Sequence, residues 1–279
     1  SLRQVLPIVS TESAPSATSA VARALGSLLP VSDVPMTAVA APFQRKGSDA
    51  TVAVTVGVYG AVGARSTDRV DLVVTAFDSD GKKSKTERTA ADIVFRSGAA
   101  ASTMTMFEVQ SRIEVKPGRY QLRIAAHRGS TDDSGSVFSD IEVPNFAKED
   151  VSLSGVVLSM SPSPVSAPRG ALADLVPVVP TTLRDFPRGS AVDAFARIYQ
   201  GGKGTVAPVM LSVKFIDTNN VTVMSRMEPV PASQFLASRS TDYRLPLPTS
   251  ALQPGAYLMR LEATLGAQTA ARDVMFVVR

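Results

Sequence analysis

From about residue 36 onward, apolar residues alternate with small or polar ones at a period of two. In "TVAVTVGVY", Val52, Val54, Val56 and Val58 share one parity, the pattern of a strand with one buried face. "RVDLVVTAF" puts Val70, Leu72, Val74 and Ala76 on one parity, and Asp80-Gly81 in the following "DSDGK" suits the positive φ angles of a tight hairpin. Further runs over 85–95, 103–113, 119–127 and 136–143 bring the first half to about seven short strands, the count and spacing of a β-sandwich. The second half repeats the plan over 151–160, 191–200, 209–217, 221–227, 241–247, 256–265 and 272–278.

Two stretches are nearly copies. "KPGRYQLRIAA" and "QPGAYLMRLEA" place Tyr120 and Tyr257, and Arg123 and Arg260, each 137 positions apart; Asp78 and Asp217 stand 139 apart and Tyr59 and Tyr199 140 apart. A nearly constant offset implies an internal duplication. In each copy Pro-Gly forms a turn and the tyrosine can bury its ring while its hydroxyl returns to the turn's backbone, which resembles the tyrosine corner of immunoglobulin-like and fibronectin type III sandwiches. The expected fold is all-β, two tandem immunoglobulin-like β-sandwiches with a short N-terminal helix: a segment over 1–35, a first sandwich over 36–146 and a second over 147–279, joined near "VPNFAKEDV". "SPSPVSAPRG", residues 161–170, is too proline-rich for a central strand and is expected to be a loop within the second domain. In "SATSAVARALGSLLP", Ala17, Val21, Ala24, Leu25 and Leu28 follow helical spacing, so one amphipathic helix is expected to dock on a sandwich or on a domain upstream.

Composition narrows the chemistry. Lys and Arg number 29 against 25 Asp and Glu, a dispersed excess of +4, and the densest basic run, "GKKSKTER", has no aromatic residue to stack bases; no nucleic-acid partner is expected. No apolar run approaches the roughly 20 residues of a membrane helix, so no membrane insertion is expected. Cysteine is absent and His127 is the only histidine, which leaves no thiolate or His-rich metal site and only one residue on which a Ser-His-acid triad could depend. His127 precedes the polar "RGSTDDSG" and reads as an exposed strand end. "FDSDG" at Phe77 to Gly81 echoes a calcium loop but lacks the downstream glutamate, position 89 being Thr89, and "DSG" at Asp133 to Gly135 lacks the second carboxylate an aspartic protease needs. No catalytic, cofactor or metal residue is assigned. In "TMTMFEV", Met104 and Met106 lie on one parity and Phe107 and Val109 on the other, so the methionines mark a candidate interaction surface, to be covered by the helix, by the second sandwich or by a partner.

"LGSLLPVSDVPMTAVAAPF", "VKPGRYQLRIAA", "SVFSDIEVPNFAKEDVSLSGVVLSM" and "DFPRGSAVDAFARIY" together resemble the region downstream of the von Willebrand factor type A-related domain in secreted, acidobacterial-type bacterial proteins. The resemblance implies an exported, extracellular or periplasmic protein without catalysis, whose upstream type A domain would bind a metal and a protein ligand; the Asp-x-Ser-x-Ser metal signature of that domain is not in this chain. The expected function is a non-catalytic scaffold or protein-interaction region, with a carbohydrate-binding accessory module as the alternative and an enzyme with a carboxylate pair at the domain junction as the third. The chain has no Trp and only five Tyr, a poor supply of the flat platforms sugars stack on.

Overall fold

The structure is a computed structural model and describes residues 17–27, 29–45, 47, 49–61, 67–94 and 104–279. A helix, α1 (Ala17–Gly26), is followed in the first half by β1 (Met36–Gln44), β2 (Ala50–Ala61), β3 (Thr67–Asp78), β4 (Lys83–Val94), β5 (Met104–Val115), β6 (Gly118–Arg128) and β7 (Ser134–Val143). The second half supplies β8 (Ser152–Leu153), β9 (Val157–Ser161), β10 (Ser166–Ala167), β11 (Asp185–Phe186), β12 (Ala191–Tyr199), β13 (Val209–Asp217), β14 (Thr222–Val230), β15 (Ser240–Pro246), β16 (Gly255–Leu265) and β17 (Gln268–Val278). Each half folds into a two-sheet sandwich. The first has sheets β1-β2-β5 and β4-β3-β6-β7; the second has β9 and β15 flanking β12, opposed by β14-β13-β16-β17, with β8 and β11 added at the edges. The chain is therefore all-β, two tandem β-sandwiches preceded by a short helix.

The duplication extends to hydrogen bonds. Asp78 stands opposite Tyr120 and Asp217 opposite Tyr257, and the register shifts at Ala76/Phe77 and again at Phe215/Ile216. Oδ1 of Asp78 accepts the N–H groups of Asp80 (3.1 Å) and Lys82 (2.9 Å), and Oδ1 of Asp217 those of Asn219 and Val221 (both 2.9 Å). The left-handed turn position falls on Gly81 (φ 73°) in one copy and on Asn220 (φ 61°) in the other, the two residue types that tolerate it best. The Tyr120 hydroxyl donates to the Lys116 carbonyl at 3.0 Å, and that of Tyr257 to the Gln253 carbonyl at 2.8 Å. Asp78, the first residue of the calcium-like loop, thus spends one carboxylate oxygen tying its own hairpin.

Strand parity builds the cores. Val52, Val54, Val56, Leu72, Phe107, Leu122 and Ile124 fill the first sandwich, and Ala194, Ile198, Leu211, Val213, Met259 and Phe276 fill the second. Full burial of each of these Val, Leu, Ile, Met and Phe side chains stabilises the fold by roughly 1.5–3 kcal/mol before the cost of ordering the chain. The helix docks on the first sandwich: Val21 and Ala24 pack on Val73 of β3 and Ala125 of β6, with Leu25 and Val31 beside them. Leu28 and the side chain of Ala17 lie outside the described residues.

Three expectations are corrected, and the expected connection near 144–150 gains detail. The single strand expected over 151–160 is broken between β8 and β9, where the Gly155 N–H donates to the Pro42 carbonyl of the first sandwich (2.9 Å). The connection near 144–150 is folded and partly buried: Phe146 is 1% exposed and lies 4.6 Å from the Tyr199 ring. The proline-rich stretch does not stay within the second sandwich, because β10 pairs in parallel with β5 of the first. The outward parity of β2 is not a solvent face: Thr51, Ala53 and Thr55 are all buried.

Candidate functional site

What buries the outer face of β2 is the junction between the sandwiches. Ala41, Phe43 and Ala53 of the first meet Val157 and Phe195 of the second, and Leu172, Leu175 and Val176 of the segment between β10 and β11 close over them in a third apolar cluster. The Phe43 and Phe195 rings stack at 6.2 Å. Small residues on β2 make this approach possible, since side chains larger than Ala53 and Thr55 would hold the second sandwich away.

Polar clamps surround the cluster. The Tyr199 hydroxyl accepts the Gln44 N–H at 3.1 Å, and burial pushes its pKa up to about 12, keeping it protonated. Arg112 forks onto Asp174, with bonds of 2.8 and 2.9 Å, and also reaches the Ala171 carbonyl. Glu108, on the outward parity of β5, is fully buried beneath the returning chain. Its Oε1 accepts the Thr181 hydroxyl at 2.7 Å, the Thr182 N–H at 2.6 Å and the Thr182 hydroxyl at 3.1 Å, while Oε2 has no hydrogen-bond partner among the described residues. Desolvation raises the pKa of Glu108 against the pull of these bonds and of the nearby Arg184.

Beside this clamp lies a cleft of about 730 Å³. One wall is the edge of β1 from Met36 to Ala40, another is β7, and the third is the second sandwich, which contributes Arg184, Arg272 and Met275. Arg184 donates twice from Nη1, to the carbonyls of Thr181 (3.0 Å) and Leu183 (2.6 Å), and Arg272 donates to those of Ser154 (3.1 Å), Leu153 and Ala271 (both 2.9 Å). Neither forms an ion pair among the described residues. Desolvation brings Arg184 down to about 10 against the pull of Glu108, and lowers Arg272 against that of Glu142 and Glu149, so in both cations burial outweighs the carboxylates around them. Of the carboxylates lining the cleft, Glu142 pairs with Arg119 at 3.7 Å and Asp273 with Arg260 at 2.7 Å.

The residues singled out in the sequence fare unevenly. Met106 stands opposite Tyr59 and is half-buried, with the Thr182 hydroxyl 3.8 Å from its sulfur, so the returning chain already leans on that face. Met104 opens β5 opposite Ala61, and its side chain lies outside the described residues. His127 is not an exposed strand end: its side chain is 4% exposed, with Nδ1 3.1 Å from the Ser134 hydroxyl and Nε2 3.4 Å from Asp132. The polar hairpin folds back over the ring, with Asp132 in the left-handed conformation (φ 62°). Asp68 and Arg128 form a buried pair, 2.7 Å apart and 3% and 6% exposed, that ties β3 to β6. Nothing in the sequence marked Glu108, Arg184 or Arg272: Glu108 and Arg272 gain their partners from chain far away, and Arg184, though bonded to its own neighbours, owes its burial to where the first sandwich arrives.

Among the described residues no group of three or more acidic or histidine side chains is placed to hold a metal, and no helix is long and apolar enough to cross a membrane. No protein-family model matches the chain, and no curated protein matches it. Among solved structures, a glycosyl hydrolase family 2 member from Bacteroides cellulosilyticus is similar at 12% identity, over 81% of this chain and 28% of that one, with a TM-score of 0.36. Bacteroides uniformis β-glucuronidase is similar at 14% identity over 39% of this chain and 13% of that one, with a TM-score of 0.28. The chain thus spans less than a third of either protein, and likenesses so distant carry no argument about activity.

Proposed function

We propose that this chain is a non-catalytic, protein-binding arm of an exported bacterial protein, and that its two sandwiches act as one rigid body. The observation that carries the reading is the junction. Paired domains move relative to one another by default unless a large apolar interface holds them. Here Phe43, Phe195, Leu172, Leu175 and Val176 supply a shared core, and Glu108 is sealed beneath Thr181 and Thr182. A flexible tether would need none of this, whereas a binding arm gains from a cleft of fixed shape, because less motion is lost on binding.

Strand order and the paired tyrosine corners support the immunoglobulin-like or fibronectin type III reading of each sandwich. The non-enzymatic reading draws support from what the buried ionisable groups do: Asp68, Arg128, Glu108 and His127 each hold strands or turns together. Export and an upstream type A domain complete the proposal on the resemblance alone.

The test places a photo-crosslinking residue at Thr37, inside the cleft, or at Val221, on the β13–β14 hairpin outside it. The expected result is a discrete polypeptide from the extracellular fraction of the source cells crosslinked from position 37 alone. Equal labelling from both positions, no labelling from either, or turnover of a glycan, ester or peptide by the chain would overturn the proposal.

A further inference from the structure

The edge of β1 is half occupied. Pro35 accepts the Tyr59 N–H and Pro42 accepts the Gly155 N–H, which fixes the ladder's parity: Thr37, Val39 and Ala41 bond to β2, while the main-chain groups of Met36, Ala38, Ala40 and Pro42 point away from the sheet. The second sandwich takes the Pro42 carbonyl. The main-chain groups of Met36, Ala38 and Ala40 make no backbone hydrogen bond on their outer side among the described residues, and this stretch lines the cleft. Such an edge is a template for another strand.

We infer that the cleft accepts an extended acidic peptide, which adds to β1 as an edge strand and directs a carboxylate to Arg184 and Arg272. This rests on the protein-binding reading above and names the partner's chemistry. The open edge demands an extended main chain with donors and acceptors of its own. The half-buried flank of the first core beside it, Met36, Ala38, Ala40, Val137 and Ile141, demands apolar side chains on one parity of that strand. The two guanidinium groups on the opposing wall, both partly desolvated and neither ion-paired, demand an anion on the other parity. Asp140 and Glu142 make the β7 wall acidic and Asp273 is engaged with Arg260, so the carboxylate is steered to Arg184 and Arg272, whose hydrogen bonds go to main-chain carbonyls and not to a carboxylate. An alternating apolar and acidic strand satisfies all of these requirements.

The probe is a fluorescent ten-residue peptide of alternating Val and Glu, titrated into the whole chain, with alternating Val and Lys as the control. Binding of the Glu peptide alone, weakened by salt, is expected. Arg184→Gln combined with Arg272→Gln should weaken it by about tenfold or more, and Ala38→Pro should abolish it by removing an outward N–H at a position where, as at Pro42, the ladder to β2 loses no bond. Circular dichroism checks that each variant folds. No binding of the Glu peptide, equal binding of the Lys peptide, or binding indifferent to both variants would overturn the inference. Crosslinking from Thr37 would then still stand or fall by itself, so the two proposals fail separately. Binding of a glucuronate oligosaccharide that displaces the peptide and depends on the arginines but not on Ala38 would replace the peptide with a glycan.

Discussion

The Thr182 N–H donates to Oε1 of Glu108 at 2.6 Å, across an interface where both residues are buried. With the Thr181 and Thr182 hydroxyls on the same oxygen, one carboxylate from the first sandwich organises the chain that returns from the second. Glu108→Ala strips three donors of their acceptor, and unmet buried donors cost about 1–3 kcal/mol each, so a loss of ~3 kcal/mol or more is expected in chemical denaturation. Glu108→Gln keeps an acceptor oxygen and should lose far less.

The same residue sets a pH dependence. Burial raises the pKa of Glu108 above its ordinary 4.5. A folded-state pKa above the unfolded one means that the fold takes up the proton more readily than the open chain does. The associated stabilisation is fully present below the unfolded value and is lost as pH rises through the raised one. Relative to Glu108→Gln, the wild type should therefore gain stability as the solution is acidified from neutrality toward 4.5. A constant difference across that window would show that the two states share one pKa.

Tyr120 and Tyr257 offer a paired test of the duplication. Each ring is buried and each hydroxyl donates to the carbonyl four residues upstream. Replacing either by Phe should cost about 1 kcal/mol, the net worth of one buried hydrogen bond, and the two losses should add because the sites lie in separate cores. Loss from one variant and none from the other would show that the corners are not equivalent.

The corners and the Asp hairpins were legible because their chemistry is local: a turn, a parity and a bond spanning four residues, all printed in one short stretch. The junction was not. Thr51, Ala53 and Thr55 have the small or polar character of a solvent face, and their burial follows only from where Phe195 and the chain over 171–176 arrive. Glu108 lay on the same outward parity as Met106, and its acceptors' partners come from residues more than 70 positions away. His127 was placed at a strand end correctly, but a turn closing over the ring reverses its exposure without leaving a periodic trace.

Helix docking is testable at Val21, which is 4% exposed against Val73 and Ala125. A ten-residue helix has too few bonds to persist by itself in water, so its order depends on this contact. Val21→Asp puts a charge into the contact, and melting of α1 should follow, seen as faster amide exchange over 17–26 and a lower melting temperature of the first sandwich. Unchanged exchange would mean that the helix is held by something other than its apolar stripe.

Gly155 tests whether the two sandwiches are one unit. Its N–H bonds to Pro42, and a methyl group built on it would overlap the Cα and Cβ of Ala41. The obstruction is main chain in a paired strand, so β1 cannot yield as a flexible side chain would, and the sandwiches must part slightly to admit the methyl. Overpacking of this kind costs about 1–3 kcal/mol. The more telling consequence is uncoupling: calorimetry of the wild type should give one cooperative transition, and Gly155→Ala should broaden or split it as the third core loosens. Gly204→Ala is the control, because no atom lies within 4 Å of the added methyl. If Gly155→Ala melts like the wild type and the control, the junction is not what holds the two sandwiches in a fixed relation.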